Sequence, residues 1–155
     1  MIQDDLLETA DHLARREARR PRQVSLRRAI SSAYYAVFHA LATMCAEELV
    51  GWSKPWHAVT PIYRSLDHAV ARKVFNRALD GIFGDEVVAV SRTFILLQQE
   101  PHTADYDPEP FSRSRDETLE LIDQARRAVQ LIRAIPPEKR LLLAVHLISK
   151  QRQAS

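Results

Sequence analysis

An all-α fold, built as a single helical bundle, is what this sequence predicts, and three observations predict it. Apolar residues recur at helical spacing in one segment after another. The 155 residues include only three glycines, Gly51, Gly81 and Gly84, too few for the tight turns of an all-β chain. Prolines fall between the periodic segments, where they stop helices. The length fits one domain that buries roughly 70% of the surface its unfolded chain exposes. No linker, internal repeat or low-complexity stretch divides it, so one helical domain is expected over 1–150 and a disordered tail over 151–155.

Asp4 or Asp5 can cap a first helix, whose stripe is Leu6, Ala10, Leu13 and Ala14 and which runs out near Arg20-Pro21. Ser25 starts a second helix and Gly51 stops it. From Ala29 to Ala46 this helix has no Asp, Glu, Lys or Arg, and apolar groups occupy nearly every face. A membrane span is one reading, but Ser31, Ser32, Tyr34, Tyr35, His39 and Thr43 make it too polar, and a central bundle helix fits better. Small residues at Ser32, Ala33, Ala36 and Ala40 let a neighbouring helix or a partner subunit approach closely. Its end charges oppose the helix dipole: Arg27 and Arg28 lie near the positive end, Glu47 and Glu48 near the negative end. Each misplaced charge costs about 0.3–1 kcal/mol when exposed. Such a cost suits arginines that face an anion or an acidic partner; screening by solvent and salt is the alternative.

Thr60-Pro61 opens a third helix, with proline at the first helical position and a stripe of Ile62, Leu66, Ala69 and Val70 continuing to Leu79. Gly81 and Gly84 bracket a turn, and Asp85 caps a fourth helix with Val87, Val90, Phe94 and Leu97, ended by Pro101. PHTADYDPEP, residues 101–110, reads as a rigid polar loop. Ser114 and Glu117 form a capping box for a fifth helix carrying Leu119, Ile122, Ala125, Val129 and Ile132, which Pro136-Pro137 end. A final apolar helix, Leu141 to Ile148, closes a bundle of four to five core helices plus a C-terminal one.

Composition excludes whole classes. Three scattered glycines cannot form a P-loop or a dinucleotide fingerprint, which need clustered glycines so that the backbone can approach phosphate. A lone Cys45 gives no internal disulfide and no structural zinc site. His57, Asp67 and His68 lack the spacing of a metal set, so neither metal nor cofactor is expected. No secretory signal opens the chain, and a reduced, cytoplasmic setting with no membrane is the expectation. The net charge of +2 hides a lopsided distribution. Arg15, Arg16, Arg19, Arg20, Arg22, Arg27 and Arg28 fall between Leu13 and Ala29 with Glu17 the only acid among them. Arginine offers a planar donor fork suited to phosphate and carboxylate, which makes this stretch a candidate anion-binding face; a solvated surface helix and turn is the plainer reading.

SLRRAISSAYYAVFHALA, residues 25–42, followed by HTADYDP, residues 102–108, resembles the HEPN family of small helical bundles. The pattern is an Arg-containing helix start, an A-Y-Y-A-x-F-H-A core and an A-D-Y-D loop before the last long helix, and the match covers most of 4–135. The resemblance implies a bundle, usually a homodimer, that binds RNA or nucleotides. Many members are metal-independent endoribonucleases of toxin–antitoxin or defence systems, and others pair with a minimal nucleotidyltransferase. The ribonuclease members carry an Arg and a His with four to six residues between them, ahead of the last bundle helix. This chain departs from that pattern: the Arg nearest before His102 is Arg92, nine residues intervening. Arg64 and His68 are too close, and Arg140 with His146 meets the count only in the terminal helix beyond the match.

Cleavage of RNA without metal needs a base for the 2′-hydroxyl, an acid for the leaving oxygen and positive charge on the phosphorane. His102 is the first candidate, on a loop, with Asp105 to orient it and Tyr106 to donate to phosphate or stack on a base. The alternative for this trio is a loop clasp that fixes the helix junction. His39 is the second candidate, four positions after Tyr35 and on the same face, so the two can line one pocket; a hydrogen-bonded core histidine is the alternative. Arg27 and Arg28 are the phosphate contacts expected, with Tyr34 and Tyr35 beside them. These tyrosines point about 100° apart, so one belongs to the core with its hydroxyl on a partner and the other reaches the groove. Trp52 and Trp56 can stack bases or anchor a loop packed on the bundle end. Two functions follow: an RNA- or nucleotide-binding protein of ribonuclease type, or a non-catalytic module that docks a nucleotidyltransferase or other partner through the arginines.

Overall fold

The computed structural model describes residues 1–100 and 113–149, and among these the chain is all-helical. Seven helices follow one another: α1 (Ile2–Ala14), α2 (Gln23–Leu49), α3 (Trp56–Ser65), α4 (His68–Ala78), α5 (Asp85–Gln98), α6 (Arg115–Ala134) and α7 (Pro137–Ile148). The expected tail, 151–155, lies outside the described residues.

The bundle is organised around α2, which touches α1, α3, α5, α6 and α7. α1, α2, α5 and α6 form the main bundle, and α4 packs on α5 and α7. By length and composition α2 is apolar enough to cross a membrane, but 72% of its most apolar window is buried inside the bundle. Ala29, Ala33, Ala36 and Ala40 are buried along it, and these short side chains let the neighbouring helices come close. Phe75, Phe83, Phe94, Leu41, Met44 and Ile122 fill the remaining core. Cys45 is buried there too, and burial pushes its thiol pKa up to about 12, so it is an inert core group.

Several boundaries differ from expectation, each for a local reason. α1 begins at Ile2 behind Met1 rather than behind an aspartate cap; Asp4 and Asp5 sit in its first turn, where carboxylates suit the dipole. It ends at Ala14, six residues before Arg20, where Arg115 takes its last carbonyl: Arg115 Nε donates to Ala14 O at 2.9 Å. The expected third helix is two helices. Asp67 adopts extended backbone and its carboxylate accepts from Ala69 N at 2.8 Å and Val70 N at 2.9 Å, capping α4 and breaking the chain from α3. α3 also starts earlier, at Trp56, leaving Pro61 inside it. Gly84, at φ +92, is the cap of α5, and Asp85 is its first helical residue. α7 starts at Pro137, a proline at the first helical position, rather than at Leu141.

Other expectations match. Gly51, at φ +99, turns the chain at the end of α2 while its N–H returns to Ala46 O at 2.9 Å. Both halves of the Ser114/Glu117 capping box are present on α6. The unfavourable glutamates at the end of α2 are met by α7: Arg140 donates to Glu48 at 2.8 Å, to Glu47 at 3.1 Å and to Ile132 O at 2.6 Å. Arg140 is thus a tie between three helices. His146, its partner by spacing, sets its ring edge-on to Phe83, 5.3 Å between centroids.

Candidate functional site

α2 presents two different stripes. On one, Tyr34 is 2% exposed and Arg27 8% exposed. On the other, Arg28, Ser31, Ser32, Tyr35 and His39 recur at helical spacing and line an open groove of about 480 Å³. Ile2, Leu6 and Leu13 of α1 make its opposite wall. The groove therefore gathers three of the expected residues, Arg28, Tyr35 and His39. It does not take Arg27 or Tyr34, because one position along a helix is a rotation of about 100° and carries both into the core.

The two tyrosines divide the roles expected of them. Tyr34 packs between Phe94 and Phe38, and its hydroxyl meets His68 Nδ1 at 2.6 Å. Burial pushes its pKa up to about 12, so the phenol keeps its proton and donates to the imidazole. Gln98 Nε2 donates to Tyr34 Oη at 3.2 Å and to His68 O at 2.9 Å, while Gln98 Oε1 accepts from Arg72 at 3.2 Å. His68 also stacks flat on Phe38, 3.9 Å between centroids. Burial holds the His68 pKa below its ordinary value, against the pull of Asp67 in the other direction. Tyr35, 37% exposed, sets its ring edge-on to Tyr34 and His68, 5.4 and 5.8 Å between centroids, and lines the groove.

His39 is half-buried, with Nδ1 at 2.5 Å from the Tyr63 hydroxyl. Burial first, and the nearby His68 second, hold its pKa below the ordinary value, so it is neutral at physiological pH. Burial raises the Tyr63 phenol, and a hydrogen bond from Thr43 lowers it less. A phenol that keeps its proton is the better donor of the pair, so Nδ1 accepts and the ring proton sits on Nε2. In that tautomer His39 can donate to a phosphate oxygen or a ribose hydroxyl. Acting as a base would require the proton to move to Nδ1 and Tyr63 to become the acceptor.

Beside the groove, the chain between α1 and α2 carries Arg15, Arg16, Arg19, Arg20 and Arg22. Arg115, the first residue of α6, shapes this loop from within: besides Ala14 O, its guanidinium donates to Glu17 O and, at 3.0 Å, to Arg19 O. Ser25 donates to Glu17 Oε1 at 2.7 Å, fixing the other side. With its carbonyls turned inward onto Arg115, the loop leaves Arg16, Arg19, Arg20 and Arg22 exposed. Arg28 is exposed as well, one end of the groove continuing the basic surface.

His102, Asp105 and Tyr106 lie outside the described residues. The residues flanking that segment are joined: Arg113 and Glu100 form an ion pair at 2.7 Å. Sequence reasoning missed His68, Tyr63, Gln98 and Arg115. Tyr34 and His68 are 34 positions apart, and Arg115 and Ala14 are 101 apart, so no local spacing pairs them. Only Asp67-His68 carried a signal, as a helix start. Trp52, in the connection between α2 and α3, lines a recess with Thr43 and Tyr63, and Trp56 opens α3. The two tryptophans stack on one another, 6.1 Å between centroids, and remain 40% and 67% exposed. Among the described residues no three His, Cys, Asp or Glu side chains converge to hold a metal ion. No family model, no curated protein and no solved structure matches the chain.

Proposed function

We propose that the chain is a HEPN-like bundle that binds RNA or nucleotides along the groove of α2, with phosphate at Arg28 and on the arginine loop. The observation that carries this reading is a chemical one. The groove combines a guanidinium, two serine hydroxyls, an exposed tyrosine and a neutral histidine, with no carboxylate among its lining residues. Three other recesses on the molecule each hold two or more acids. Arginine forks, hydroxyls and an aromatic ring are the groups that take phosphate, ribose and an unpaired base. The resemblance to HEPN proteins extends the proposal to a homodimer and to a nucleotidyltransferase-type partner.

Metal-independent cleavage is the second reading, and the observation favouring it is the neutral His39 on the groove. The tautomer set by Tyr63 favours binding over base catalysis at that ring. Both readings are tested by one series of measurements in EDTA. Binding of single-stranded RNA should weaken steeply as salt rises, and Arg28→Gln should weaken it and lower the salt slope by about 1. Absence of binding at low salt rejects the proposal. RNA left intact on prolonged incubation with saturating protein rejects cleavage alone.

A further inference from the structure

We infer that the Trp52–Trp56 recess is a second subsite of the same groove, one that stacks an unpaired nucleobase of a bound strand. The inference rests on the RNA-binding reading and adds to it the class of RNA: single-stranded rather than paired. The recess has a volume of about 380 Å³ and is bounded by the two tryptophans, Tyr63, Thr60 and Arg64. Two indole rings left 40% and 67% exposed are a large apolar surface for a monomer to show to water.

Three observations choose the occupant. First, the recess is continuous with the groove: Ile2 lines both, and the His39–Tyr63 hydrogen bond joins a groove residue to a recess residue. A strand whose phosphate sits at Arg28 has its next groups directed along His39 towards Tyr63. Second, the charge is right for that strand, since Arg64 stands in the recess wall and no Asp or Glu does. Third, the chemistry changes from one half to the other as a nucleotide's does. The groove offers a cation, hydroxyls and an imidazole N–H for phosphate and sugar, while the recess offers π-faces and methyl groups for a base. In a duplex both faces of each base are already stacked, so only an unpaired base can use the indoles.

The test measures tryptophan fluorescence and affinity with a short single-stranded oligoadenylate, the same strand paired with oligouridylate, and inorganic polyphosphate, which has no bases. The single strand should quench the fluorescence, and the duplex and polyphosphate should not. Trp56→Ala, a change at a side chain 67% exposed, should weaken the single strand by roughly 5- to 150-fold, the range of one lost base–aromatic stack. It should leave polyphosphate binding unchanged, and Trp56→Phe should keep most of the affinity. Single-strand affinity unchanged in Trp56→Ala overturns the subsite while leaving the groove reading standing. A Trp56→Ala protein that changes from dimer to monomer with its RNA affinity unchanged also overturns it, because the recess is then a subunit contact. If the unaltered protein binds neither RNA nor polyphosphate, the groove reading itself fails and takes the subsite with it.

Discussion

A single residue step separates opposite fates on α2. Tyr34 is core and Tyr35 is surface; Arg27 is buried and Arg28 is exposed. The division of the tyrosines was legible because helical geometry demands it, whereas which of the two turned inward depended on where α4 and α5 arrived. The two histidines that flank this stripe give the fold a pH dependence with a definite sign. Burial holds both His39 and His68 below their ordinary value of 6.5, so the unfolded chain takes up their protons first as pH falls. Their contribution to stability is therefore complete above 6.5 and is lost progressively below it. Thermal melts should show a lower midpoint at about pH 5.5 than at about pH 7.5, and His39→Asn should flatten that drop. This window lies above that of Asp4, whose ordinary value is 3.8 and which Arg133 lowers further, and above that of Glu117, ordinarily 4.5. A midpoint unchanged between the two pH values would contradict the assignment.

At the scale of elements, periodicity found the helices and chemistry decided their ends. The stripe Ile62, Leu66, Ala69, Val70 runs straight through a junction where the chain in fact turns. Leu66 is buried on either account, so burial carries no information about the break. The break comes from Asp67, whose short carboxylate gains two backbone N–H groups by leaving the helix. Asp67→Ala should cost about 1 kcal/mol in urea denaturation, the usual worth of a lost cap, and Asp67→Asn should recover most of it. Because His68 is the first residue of α4, the same substitution should disturb the Tyr34 network, visible as a change in tyrosine absorbance. The capping box of α6 was legible in full because Ser114 and Glu117 are three residues apart and answer only to each other.

For the molecule as a whole, the bundle class was legible and the ties across it were not. Each tie joins residues roughly a hundred positions apart, and in both an arginine that the sequence offers as surface charge does structural work instead. Arg140, with a side chain 12% exposed, holds Glu47, Glu48 and the end of α6 together. Arg140→Ala should cost roughly 1.5–3 kcal/mol, the range for hydrogen bonds to charged groups, measured by chemical denaturation. Adding Glu48→Gln to that variant should recover part of the loss by removing the stranded charge. The number of arginines in the basic stretch was plain in the sequence, but its shape is supplied by Arg115, 101 positions away from the carbonyl it holds. That separation sets an order in time. During synthesis the arginines of residues 15–22 emerge early, while the side chain that folds their backbone emerges only when α6 begins, and closing so long a loop carries an entropic cost that nothing local repays. A nascent chain therefore carries this positive charge well before the loop that bears it has its folded shape, which is complete only once α6 has been made.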